Sequence, residues 1–189
     1  YMGDRIKNHF KKTKNVKVVD TGIDTPTGGR LLNISEYLED NFILTYGDGL
    51  ANVDIDQLLK FHFEQDNIGT LTSTNPTSKF GLIEFDEKLN VTKFIEKPKL
   101  TNSFVNIGFM VFQNQFIDYL KPDTPLETYP LVRLAEDKEL RTFLHNGYFE
   151  PMDTYREYLN LNSLWEKGEK PWLNYCLLYT SDAADEVSW

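Results

Sequence analysis

Asp48 stands between Gly47 and Gly49, directly after the strand-forming run Phe42-Ile43-Leu44-Thr45-Tyr46. A carboxylate with no bulk on either side is a hard oxygen donor suited to Mg²⁺, and the glycines let backbone and ligand approach closely. Asp-Gly is also a common turn pair, so the local pattern alone leaves both readings open. A second carboxylate comes from Glu150-Pro151-Met152-Asp153-Thr154. Thr154 and Glu157 have capping-box spacing, so the helix that follows can be capped without Asp153. Asp153 is then free to complete a cation site with Asp48, or merely to favour the positive end of that helix.

Two further stretches could meet phosphate. Thr21 to Arg30 reads TGIDTPTGGR. Such a loop can offer backbone N–H groups and hydroxyls to a phosphate or a base edge, with Arg30 as a planar fork at the start of a helix. The plainer reading is an ordinary strand–helix connection. Phe94 to Lys99 reads FIEKPK. Pro98 is expected to hold Lys97 extended, which makes Lys97 and Lys99 candidate phosphate partners; a solvated turn is the alternative. His9, His62 and His145 lack ligand spacing and read as structural. No serine or cysteine triad is evident.

The elements that must position these groups follow from periodicity. Ile6 and Phe10 place a helix over 4–12, and Val16–Val19 reads as a short strand. Leu31, Ile34 and Leu38 predict a second helix. Phe42–Tyr46 predicts a strand buried on both faces. Asp54 with Gln57 signals a helix start, and Ile55, Leu58, Leu59 and His62 share one face of that helix. Gly69–Thr74 is the next strand. This alternation predicts parallel βαβ units. Strands then follow at Leu82–Phe85, Val91–Ile95 and Phe104–Phe112, a more antiparallel portion. Helices are expected at Gln115–Leu120, Pro130–Glu139 and Thr154–Lys167, and a strand at Leu140–Leu144. No repeat or interdomain linker interrupts 1–175, which reads as one domain.

The chain has 189 residues, a 40% hydrophobic share and a formal net charge of −9. That composition is globular, and its acidity argues against nucleic acid as a partner. No apolar run is long enough to span a bilayer, so no membrane partner is expected. The one cysteine excludes an internal disulfide and fits a reducing cytoplasm. The chain begins as if cut within a longer protein. Residues 176–189, CLLYTSDAADEVSW, depart in texture from the rest. They resemble the translation of a sequencing adapter and are expected to be a non-native tail; a short natural tail is the alternative.

Taken in order, VVDTG, TGGR, TYGDG, FGLIEFD, FIEKPK, NIGFMVF, EPMDT and WEKGEKPW resemble the sugar-1-phosphate nucleotidyltransferases. GDG and EKP belong to the wider family; TGGR, EPMDT and WEKGEKPW point to its glucose-1-phosphate cytidylyl branch. The resemblance implies an α/β fold with a mixed, mainly parallel Rossmann-like sheet flanked by helices. It implies transfer of a cytidylyl group from CTP to glucose 1-phosphate, giving CDP-glucose for O-antigen dideoxysugars. Asp48 and Asp153 would hold Mg²⁺. Thr25, Thr27, Arg30 and Gly47 would face the nucleotide. Lys97 would meet the sugar phosphate, and Gly81, Glu96 and Asn106 would shape the sugar pocket. A cytoplasmic homo-oligomer is expected. The alternatives are a branch using UTP or dTTP, or a non-catalytic sugar-nucleotide-binding homologue. The family's first strand and Gly-rich GGxGTR loop are missing from this sequence, so the chain by itself is expected to be inactive. Robust pyrophosphate release from CTP and glucose 1-phosphate would refute that expectation.

Overall fold

The computed structural model describes residues 2–173, so the 176–189 tail lies outside the described residues. Two compact units interleave along the chain. One takes the stretch up to Phe42, then Asn67–Gly69 and Phe112–Arg141; the other takes Ile43–Asp66, Thr70–Val111 and the chain from Thr142 onward.

In the first unit, α1 (Gly3–Phe10) forms where the Ile6/Phe10 spacing predicts it, but it buries no residue. Val16–Val19 is not a strand. A strand needs a hydrogen-bonded neighbour, and the sheets of the described residues include none beside it. Helix α2 (Thr27–Asn33) opens three residues before Arg30, so Gly28 and Gly29 lie inside its first turn. The expected helix through Leu38 stops early. Ile34 leaves helical geometry and a 3₁₀ turn, Ser35–Tyr37, takes over. Phe112 and Phe116 stack with centroids 3.9 Å apart, among the buried Leu126, Leu131 and Leu134. Gly69 is required there, since a methyl on it would meet Leu134 and Phe112 at 2.7–2.9 Å.

The second unit holds most of the sheet. Its strands are β1 (Asn41–Thr45), β3 (Gly69–Thr74), β6 (Val105–Gln113) and β7 (Leu140–Leu144), in the order β1-β6-β3-β7. Bonds from the Asn114 N–H to the Asp40 carbonyl and from Tyr46 to Gly108 run in opposite chain directions, so β6 is antiparallel to β1. Bonds from Gly69 to Glu139 and from His145 to Ser73 advance together, so β3 and β7 are parallel. The mixed α/β expectation holds, but β6 separates β1 from β3, which simple alternation would have paired. Strand β1 is at the edge of this sheet, and it is not buried on both faces as expected: exposed and half-buried residues alternate along it.

Helix α3 (Ile55–Glu64) is capped as its sequence predicts. The Asp54 carboxylate accepts from the Gln57 N–H at 3.0 Å and from its side-chain amide at 2.8 Å. Leu58 joins Val53, Ile107 and Val111 in the core, with Ile55 and Leu59 packed against it. Strands β4 (Leu82–Phe85) and β5 (Val91–Ile95) form an exposed antiparallel hairpin, joined across by a Lys93–Glu84 ion pair at 2.9 Å. No helix among the described residues is long and apolar enough to cross a membrane.

Candidate functional site

A two-stranded ribbon brings the two key aspartates together. Strand β2 (Gly49–Ala51) pairs antiparallel with β8 (Phe149–Pro151), with Gly49 opposite Pro151 and Ala51 opposite Phe149. The ladder continues past its end, where the Met152 N–H donates to the Asp48 carbonyl at 2.7 Å. Asp48 therefore stands opposite Met152, and Asp153 is one rung further on, level with Gly47. Both aspartates line one cavity of about 710 Å³, together with Tyr46, Asn106 and Lys79. Neither carboxylate has a hydrogen-bond or ion-pair partner among the described residues. A methyl on Gly47 would meet no other atom within 4 Å, so open space lies beside Asp48.

The ribbon is fastened from behind. The Asn52 carboxamide oxygen accepts from the Tyr148 N–H at 2.6 Å, and the Tyr148 hydroxyl donates to Glu150 at 2.7 Å. The other Glu150 oxygen accepts from Asn160 on α5 (Tyr155–Glu166) at 2.8 Å. Burial and the Glu150 carboxylate both push the Tyr148 hydroxyl well above its ordinary pKa, so it stays protonated and donating. The α5 capping box is present as the sequence predicts, with Thr154 and Glu157 satisfying each other's N–H groups. Burial raises the Glu157 carboxyl, but bonds from Thr154, Asp153 and Lys79 outweigh it and leave it below the usual carboxylate range.

The remaining sequence candidates are placed differently. Asn106 lines the cavity, and its carboxamide oxygen accepts from the Gly108 N–H at 3.0 Å. Gly81 and Glu96 face each other at the base of the hairpin, where a methyl on Gly81 would stand 2.5 Å from the Phe94 ring. Neither lines this cavity, and nor does Lys97. Lys97 is not extended as expected; its φ is +46°, in the left-handed region. That turn ends the pairing begun by the Thr77–Lys99 bridge and leaves the ammonium 3.8 Å from Glu96. Thr25, Thr27 and Arg30 belong to the first unit. There Arg30 donates to the Thr21 hydroxyl at 2.8 Å and the Ile23 carbonyl at 3.0 Å, while Thr25 donates to the Thr21 carbonyl at 2.5 Å. Thr27 accepts from the Leu126 N–H at 2.9 Å. Sequence reasoning missed Lys79, which sits in a bend, and the Tyr148–Glu150–Asn160 brace, whose Glu150 lies on a three-residue strand with no periodicity to read.

The profile of the nucleotidyl transferase family matches residues 7–148. The chain belongs to that family. It is 41% identical over 174 residues to the glucose-1-phosphate cytidylyltransferase of Salmonella typhi, covering 89% of this chain and 67% of that protein. The bifunctional protein GlmU of Methanococcus aeolicus is 28% identical over 171 residues, covering 86% of this chain and 41% of GlmU. The crystal structure of HddC from Yersinia pseudotuberculosis complexed with GMP-PN shares the nucleotidyl transferase fold. Its TM-score is 0.58 at 18% identity, over 85% of this chain and 73% of that one. The chain thus spans about two thirds of the length of the Salmonella relative. Family membership makes it a nucleotidyltransferase sequence, homologous to enzymes that act on a nucleotide and a sugar phosphate.

Proposed function

We propose that this chain carries the metal and sugar-phosphate face of an enzyme that joins CTP to glucose 1-phosphate, releasing pyrophosphate and CDP-glucose. One observation carries the reading. Asp48 and Asp153 are delivered to one cavity by adjacent rungs of a single ribbon, and no described residue partners either carboxylate. The kinship with glucose-1-phosphate cytidylyltransferases supports the choice of nucleotide and sugar.

The residues present fit a hard divalent cation. Two oxygen donors beside open space suit Mg²⁺, which is commonly held by one or two carboxylates with substrate phosphates filling further positions. No third acidic or histidine group joins them among the described residues, which leaves those positions for ligand. When bound, Mg²⁺ supplies charge neutralisation at the reacting phosphates. In the reaction a sugar-phosphate oxygen forms a bond to the α-phosphorus while the bond to the leaving pyrophosphate breaks, with no covalent enzyme intermediate. The chain contributes position and charge. Asp48 and Asp153 hold the cation, and Gly47 keeps the approach open. Asn106, its oxygen held by the Gly108 N–H and one amide N–H given to the Met110 sulfur, offers its other amide N–H to a sugar hydroxyl. Within the first unit, Arg30 orders the turn at Thr21–Ile23, and Arg30, Thr25 and Thr27 are assigned as nucleotide contacts in this reading. In this reading the enzyme is a cytoplasmic homo-oligomer whose product feeds O-antigen dideoxysugar synthesis.

Titration of the chain with Mn²⁺, followed by electron spin resonance, tests the carboxylate pair. Asp48→Asn and Asp153→Asn are each expected to weaken binding at least about tenfold, the scale of a lost bond to a charged group. Unchanged Mn²⁺ affinity in both variants refutes the site. Pyrophosphate release by the protein expressed from its whole gene, with CTP, UTP and dTTP compared, tests the nucleotide; faster turnover with UTP or dTTP refutes the cytidylyl assignment.

A further inference from the structure

The cavity that holds the two aspartates also takes two lysines into its lining, Lys79 and Lys99. Their placement follows from the backbone. Thr77 and Lys99 form an antiparallel bridge, flanked by bonds of 2.9 Å from the Ser78 N–H to the Pro98 carbonyl and from Leu100 to Pro76. Lys79 follows two residues after the bridge, in a bend where the Ser78 hydroxyl accepts from the Phe80 N–H at 3.1 Å. The Lys79 ammonium lies 3.4 Å from one Glu157 oxygen. The other Glu157 oxygen accepts from the N–H groups of Asp153 at 2.9 Å and Thr154 at 2.8 Å. A single carboxylate therefore ties together a cavity lysine and the backbone of a cavity aspartate.

Both lysines are exposed, and both line the concave site. Glu157 already serves two backbone donors, so it neutralises Lys79 only in part, and Lys99 has no side-chain ion pair among the described residues. In a chain with a formal net charge of −9, two incompletely paired lysines share one concave site with two unpaired carboxylates. Cations beside a metal-binding carboxylate pair suit a ligand that brings a phosphate monoester. We propose that Lys79 and Lys99 are the phosphate-binding pair of this cavity, with Glu157 as the positioning residue that holds Lys79 and Asp153 together. The proposal rests on the sugar-phosphate reading given above.

Inorganic phosphate is the probe, titrated against the chain and followed by ³¹P resonance, with glucose 1-phosphate as a second arm. Lys79→Ala and Lys99→Ala are each expected to weaken phosphate binding about tenfold, as for one lost hydrogen bond to a charged group. Lys79→Arg keeps the charge and should stay within about threefold of the parent. Lys60→Ala, on α3 and paired only with Glu64, is the unaffected control. Glu157→Gln can still accept both backbone N–H bonds, so its Tm should hold. Its phosphate affinity should fall about threefold, the scale of an exposed ion pair, and fall no further once Lys79 is alanine. Absence of phosphate binding in the parent chain, or parent-like titration of Lys79→Ala or Lys99→Ala, overturns the proposal. If both lysines matter but glucose 1-phosphate binds no tighter than phosphate, the lysine pair stands and the sugar assignment falls.

Discussion

Replacing Gly28 or Gly29 with alanine sets two ordinary effects of opposite sign against each other. Both glycines lie in the first turn of α2, where alanine is intrinsically the better helix former by about 0.5–1 kcal/mol. Both are also buried, because α2 packs there against the chain at 122–126. A methyl on Gly28 would stand 2.5 Å from the Thr124 carbonyl oxygen, and one on Gly29 would fall on the Pro122 carbonyl oxygen. Carbonyls of the backbone cannot swing aside like the end of a side chain, so the helix and the loop must part. Parting them strains the Gly28 N–H bond to Thr124 at 3.2 Å and the Leu126 N–H bond to Thr27 at 2.9 Å. Overpacking of this kind costs about 1–3 kcal/mol, and each weakened bond about 0.5–1.5 kcal/mol. After the gain in helix propensity is subtracted, a net loss of about 1–3 kcal/mol is expected, larger for Gly29→Ala than for Gly28→Ala. Equilibrium urea unfolding read by tryptophan fluorescence measures it. With a slope of about 2 kcal/mol per molar, the midpoint should fall by roughly 0.5–1.5 M. A raised midpoint in either variant would refute the packing argument and return the glycine pair to the role of admitting a ligand.

Two further perturbations probe helix α3. Asp54→Ala removes the cap bonds at 2.8 and 3.0 Å and should destabilise by about 1 kcal/mol in the same urea experiment; an unchanged midpoint would mean the cap contributes nothing. His62 is 1% exposed, bonded through Nδ1 to Thr70 at 2.9 Å, and burial lowers its pKa below 6.5. The unfolded chain therefore takes up a proton first. The contribution of His62 to stability is complete above pH 6.5 and is lost as pH falls towards the folded pKa, with a slope of at most about 1.4 kcal/mol per pH unit. Urea midpoints measured from pH 7.5 to 5 should show this decline and should flatten in His62→Gln; parallel curves for the two proteins would count against it.

The sequence was most readable where one local rule acted alone. Strand bounds at Gly69–Thr74, Leu82–Phe85, Val91–Ile95 and Leu140–Leu144 coincide with the observed ones, since short runs of β-branched, aromatic and aliphatic residues between turn residues leave little choice. The caps at Asp54 and Thr154 are likewise local hydrogen-bond patterns. Reading failed where a distant partner decides. Val16–Val19 has strand-forming residues but no neighbour to pair with. Lys97 turns left-handed despite the proline after it, where the chain passes from β5 to the Thr77–Lys99 bridge. Gly28 and Gly29 look like a ligand loop in sequence and are a helix–loop contact in space. At the site, Asp48 and Asp153 were legible as free carboxylates. The ribbon that makes them neighbours was not, because a three-residue ladder is specified by its opposite strand and not by its own letters; nor was Lys79, which joins the cavity from a bend outside any strand.

That ribbon also sets a timetable. Its strands are far apart in the chain, so Asp48 has no companion carboxylate until β8 and Asp153 just after it have been made and β8 has paired with β2. At a synthesis rate of ~5–20 residues per second, the roughly 100 residues between them take ~5–20 s to emerge from the ribosome. A growing chain passes through that interval with one aspartate and an unzipped strand. Any event that stalls synthesis before Asp153 leaves a nascent chain without the carboxylate pair.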